Sequence, residues 1–177
     1  PEENRATNPF TFYRDGQMIY QQPLIINPYT YQTDMPEVRQ GKGYYKNDEL
    51  IKKPMDFSHS NFVSIPDLQA FLKAVFFPEA VSENSRFNLT EDDYRFLYTY
   101  MGMLPRESEI TAYHDTSEYY DGYVKFFMFG DSKKRIPASI RIFDKCGESY
   151  GYLIDDAYIV DFENKIEFLL TAVIQVN

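Results

Sequence analysis

Tryptophan is absent, cysteine occurs once, at Cys146, and the two histidines, His59 and His114, stand far apart in the chain. One thiol excludes an internal disulfide and a thiolate metal cluster, and two separated histidines lack the spacing of a zinc site. Positive charge is scarce as well: 18 Lys and Arg face 27 Asp and Glu, a net charge of −9. A chain of that sign repels phosphate backbones, and no basic stripe runs among its aromatics, which argues against nucleic acid as a partner. The longest apolar run, near Phe168 to Ile174, falls far short of the ~20 residues needed to span a bilayer. Neither the group Asp115, Glu118 and Asp121 nor the later group Asp155, Asp156 and Asp161 has the spacing of a calcium loop, and no metal or cofactor is expected.

What is present is a foldable chain of 177 residues, 44% apolar, with 16 Tyr and 15 Phe. That content supports one domain with a real core, and the tyrosines suit sheet faces or a broad groove, where an apolar ring carries a wet hydroxyl. "FTFYRDGQMIYQQ", Phe10 to Gln22, predicts a β-hairpin turned at Asp15-Gly16, a pair that supplies positive φ angles. Residues 23–63 carry Pro23, Pro28, Pro36 and Pro54 and predict a long irregular crossing. Ser64 with Asp67, and Thr90 with Asp93, are capping-box spacings that open two helices, and Pro78 and Pro105 stop them. Leu68, Phe71, Leu72 and Val75 form the apolar stripe of the first; Leu97, Tyr100, Met101 and Leu104 form that of the second.

The last third reads as strands: Tyr123 to Phe129, Ser139 to Phe143, Tyr150 to Phe162 and Ile166 to Val176. Turns are expected at Gly130-Asp131-Ser132, at Lys145-Cys146-Gly147 and at Glu163-Asn164-Lys165, and such short connections imply antiparallel neighbours. The expected class is therefore α+β, an antiparallel sheet packed with helices, with residues 1–63 as an aromatic hairpin and long-loop insertion and 64–177 as the main domain. The chain begins Pro1-Glu2-Glu3 without an initiator Met and stops at Gln175-Val176-Asn177 within an apolar strand. A piece of a longer polypeptide is expected, with any targeting segment outside it.

Two helices, a strand, Lys-x-Gly, a Gly-started strand and an apolar strand follow one another in a series that resembles the C-terminal portion of the class A β-lactamase and penicillin-recognising serine hydrolase family. "NPFTFY", "FNLTEDDYRFLYTYM", "LPRES", "YYDGYVKFFMFGD" and "YGYLIDDAYIVDF" are similar to a divergent branch of it with an aromatic hairpin insertion. The resemblance to the wider family covers about residues 64–176, and that to the branch most of the chain. It implies a β-lactamase/transpeptidase-like fold incomplete at the N-terminus, and a periplasmic or extracellular location. It also implies acyl-enzyme hydrolysis of a small-molecule or peptide amide or ester. Carried over, Lys145 binds the substrate anion, Gly147 lets substrate approach the backbone, and Glu148 gives its N–H to an oxyanion hole, with Lys145, Cys146 and Gly147 lining the substrate.

Three departures weigh against activity in this chain alone. Cys146 stands where the family has a hydroxyl residue, and a thiol is a weak donor. The nucleophile motif Ser-x-x-Lys is absent from residues 1–177; Ser132-Lys133-Lys134-Arg135 ends in Arg. Ser82-Glu83-Asn84 spells the family's Ser-x-Asn but lies between the two helices rather than before them, and Glu49 is the one candidate near the family's deacylating glutamate. The expectation is a hydrolase wall, inactive by itself, whose nucleophile lies in a missing N-terminal segment. Two other readings stay open: a non-catalytic glycan- or peptide-binding module that uses the hairpin tyrosines and Tyr119-Tyr120 as stacking surfaces, and a degenerate hydrolase scaffold.

Overall fold

The computed structural model describes residues 6–28, 37–58, 60 and 63–175. They divide into two compact units, one within 1–44 and 50–62, the other within 45–49 and 63–177. The first unit holds short strands. β1 (Ala6–Thr7) pairs with β4 (Ile25–Ile26), and between them β2 (Phe10–Arg14) and β3 (Gln17–Gln22) form the hairpin that Asp-Gly implies. Asp15 and Gly16 take φ of 50° and 75° there. β5 (Arg39–Gln40) pairs with β8 (Met55–Asp56); β6 (Tyr44–Lys46) pairs with β7 (Glu49–Ile51), a ladder whose residues 45–49 are assigned to the second unit, so the crossing read as irregular is pinned by short ladders. Glu49 is exposed on β7.

The larger unit is α+β. Helix α1 (Ile65–Phe76) is capped by Ser64, whose hydroxyl accepts from the Asp67 N–H, and α2 (Glu91–Gly102) opens with a full Thr90/Asp93 capping box. Ser82-Glu83-Asn84 falls in a 3-10 turn between them. The sheet is built from β9 (Ile140–Asp144), β10 (Gly147–Ser149), β11 (Tyr152–Asp161) and β12 (Ile166–Gln175), all antiparallel. β9 and β10 hold one unbroken register against β11, from Ile140↔Asp161 to Ser149↔Tyr152, and Lys145 N–H donates to Asp156 O at 3.0 Å between them. They therefore act as a single strand, residues 140–149.

That register overturns one expectation. Lys145-Cys146-Gly147 is not a turn; the chain reverses at Tyr150-Gly151, where φ is 52° and 83°. Two successive positive-φ residues give the twist a two-residue hairpin needs. A second expectation also fails: Tyr123 to Phe129 is not a strand. It ends in a short helical segment, α3 (Phe126–Phe129), broken by Met128 at φ 66°. Its aromatic composition reads as strand, but side chains of the sheet seize its backbone, as described below.

Alternation gives the sheet two faces. On one, Ile142, Ala157 and Ile159 pack with Leu104 and Ile136 in the buried core, flanked by Phe127, Phe129 and Ile140. On the other, Phe143 and Tyr158 stack against Phe76 of α1, with ring centroids 5.2 and 4.9 Å away. Gly102 closes α2 directly on Phe143, whose ring atoms would lie 2.7 Å from any added Cβ. The helix stripes are only partly core: Leu72 is buried, whereas Phe71 and Tyr100 are exposed.

Candidate active site

The strand 140–149 is an edge strand: among the described residues it pairs with β11 alone. In an antiparallel ladder, residues alternate between bonding the partner and pointing their N–H and C=O away from it. Lys145 N–H bonds Asp156 O, and Phe162 N–H bonds Ser139 O at 2.8 Å, which fixes the phase. Cys146 and Glu148 therefore turn their backbone groups toward the open edge. Lys145 Nζ folds onto this edge and donates to Cys146 O at 2.5 Å. Lys145 and Glu148 are exposed, and Cys146 and Gly147 half-buried. Among the described residues Lys145 has no ion-pair partner; the nearby Asp144 is bound by Lys125.

Gly147 keeps the strand low. A Cβ there would come within 2.8 Å of Ile154 Cγ2, so a side chain is excluded by packing across the pair. Beside it lies a cavity of about 410 Å³. Leu68, Phe71, Leu72 and Val75 of α1 wall it with Phe87 and Ile154, and Lys145, Cys146 and Asp156 reach its border. Asp156 is buried, its Oδ1 accepts from Thr171 Oγ1 at 2.5 Å, and burial raises its carboxyl above the ordinary range.

The opposite face carries charge that sequence reasoning left outside. Lys125 is 1% exposed; its Nζ donates to Asp144 Oδ1 at 2.5 Å and to Met101 O at 3.0 Å. Asp144 is buried, and desolvation raises its carboxyl despite that ammonium. Asp155, 3% exposed, accepts from Phe126 N–H at 3.0 Å through Oδ2, while Oδ1 has no hydrogen-bond partner among the described residues. Burial first, then the Asp144 charge, pushes its carboxyl from 3.8 up to about 6. Arg141 pairs with Glu107 at 2.8 Å and donates to Gly102 O at 3.1 Å, and alternation points Asp155 to the opposite face. The signal that was available is spacing: Asp144, Cys146 and Glu148 share one parity, and Lys145 the other.

Burial, and after it the Asp144 carboxylate, raises the Cys146 thiol. A thiol held protonated is a poor nucleophile. The strand thus offers a cation with no carboxylate partner among the described residues, an edge N–H and a flat glycine, but no attacking group. No family model, curated protein or solved structure matches this chain. No helix among the described residues is long and apolar enough to cross a membrane.

Proposed function

We propose that residues 1–177 form one wall of the cleft of a β-lactamase-like serine hydrolase, with the nucleophile supplied by polypeptide outside these residues. The supporting observation is the edge strand itself: the exposed Lys145 ammonium and the outward Glu148 N–H stand on one rigid strand three residues apart. In the proposed reaction a serine Oγ adds to an amide or ester carbonyl, and the Glu148 N–H donates to the oxygen that gains charge. Collapse expels the leaving group with a proton and leaves an acyl-serine; water then releases the acid and restores the hydroxyl. Lys145 holds a substrate anion through this sequence, and Cys146 adds little, since its S–H is a weak donor. A periplasmic or extracellular setting belongs to the same proposal.

The test is intact mass of the protein isolated from its natural source, before and after incubation with a penicillin or an activated ester. A covalent acyl adduct supports the reading, and Lys145→Ala should slow its formation by anionic reagents at least about tenfold, the order of one charge-assisted hydrogen bond. Absence of any adduct with both reagents overturns it.

A further inference from the structure

The cavity beside Lys145 is apolar on almost every side, yet the one cation at its border has no carboxylate partner among the described residues. Its walls come from three separate elements: Leu68 and Phe71 on α1, Phe87 in the connection to α2, and Ile154 on β11. The Phe71 and Phe87 rings stand 6.2 Å apart, and Phe71 keeps half its surface exposed. Phe71 is thus at once a wall and a rim. The second polar group, the Asp156 carboxyl, is turned to Thr171 and is raised by burial toward its neutral form, which lessens its repulsion of an anion. Gly147 leaves the approach to Ile154 unobstructed.

We infer that this cavity takes the hydrocarbon part of an amphipathic carboxylate, an acyl-chain acid whose head pairs with Lys145 while its tail lies among Leu68, Phe71, Phe87 and Ile154. Charge complementarity selects the sign of the head, and the apolar walls select the tail. As a statement about substrate, this rests on the hydrolase reading above; as a statement about binding, it stands on the cavity alone. It narrows the acyl substrates of that reading to those with a long apolar chain and an anionic group close to the reacting carbonyl.

The experiment is calorimetric titration of residues 1–177 with decanoate, decyltrimethylammonium and acetate, each kept below its micelle concentration. Decanoate should bind with one site, and the other two at least about tenfold more weakly, the order of one charge-assisted contact or of several buried methylenes. Lys145→Ala should remove the preference for decanoate over decyltrimethylammonium, and Phe71→Ala should weaken decanoate while leaving acetate unchanged. Both positions are exposed, so far-UV circular dichroism should show the fold retained. Equal binding of the two decyl ions, or decanoate binding indifferent to Lys145→Ala, overturns the inference. Acylation of the protein from its natural source without decanoate binding removes this ligand class and leaves the hydrolase reading standing. Lysine-dependent decanoate binding without acylation does the reverse.

Discussion

Asp155 is buried beside another carboxylate, and replacing it tests the account of the sheet's charged face. The residue is 3% exposed, lies beside Asp144 and Cys146 of the neighbouring strand, and has one carboxyl oxygen without a hydrogen-bond partner among the described residues. Lys125 is the buried cation on that face, and Asp144 already holds it. A rise from 3.8 to about 6 is roughly two units at ~1.4 kcal/mol each, so ionised Asp155 costs the fold about 3 kcal/mol at neutral pH. The sign is opposite to that of a salt-bridged carboxylate. The contribution is favourable below the unfolded value of 3.8 and is lost as pH rises through about 6. Asp155→Asn keeps an acceptor for Phe126 N–H and removes the charge. Denaturant unfolding of both proteins across this range gives the difference directly, which matters because Asp56, Asp93, Asp115 and Asp161, with lowered values, tilt the wild-type profile the other way. The stability gain of the variant should grow by about 2–3 kcal/mol from below pH 3.8 to neutral pH, most of it before pH reaches about 6. A gain that does not change with pH would refute the reasoning.

Further substitutions probe the same architecture. Lys125→Met strands Asp144 in the core and should cost about 3–5 kcal/mol in denaturant unfolding, whereas Lys125→Met with Asp144→Leu should recover most of that loss. Gly102→Ala, normally favourable in a helix, should destabilise by about 1–3 kcal/mol because the new Cβ meets Phe143 at 2.7 Å. Gly151→Ala should cost about 1 kcal/mol or more at its φ of 83°, while Tyr150→Asn should be neutral or better, both read from thermal midpoints.

The helices and the Asp15-Gly16 hairpin were legible because their signals are local: a capping hydroxyl, a carboxylate three residues on, a proline beyond the end. The sheet was legible in composition but not in register. Gly147 read as turn punctuation, yet it is glycine because Ile154 occupies the space of its side chain. The real turn contains Tyr150 at positive φ, a residue with no propensity for it, so no local signal marked the spot. Tyr123 to Phe129 carries strand composition, but Lys125 is drawn in by Asp144 and Met101, and Phe126 N–H by Asp155, so tertiary bonds override the local preference. At the candidate site, Lys145, Gly147 and Glu148 could be named from the series of motifs. Which of their groups faces the open edge could not, because that depends on the phase of hydrogen bonding with β11.

That phase links the core charge to the cavity beside Lys145. The run Asp144-Lys145-Cys146-Gly147-Glu148 looks like an ordinary charged surface stretch, but alternation sends Asp144 inward to Lys125 and Lys145 to the cavity face. A slip of one residue against β11 would exchange the faces. Lys125 would lose its carboxylate, the Lys145 ammonium would enter a core built from Ile142, Ala157 and Ile159, and Asp144 would take the cavity border. Breaking the buried pair alone costs several kcal/mol, which is comparable to the stability of a domain of this size. A buried ion pair adds little net stability over an apolar one, so its weight here lies in the registers it penalises. The Lys125–Asp144 pair thereby fixes which charge borders the cavity, and it also holds the Glu148 N–H on the open edge rather than in the ladder.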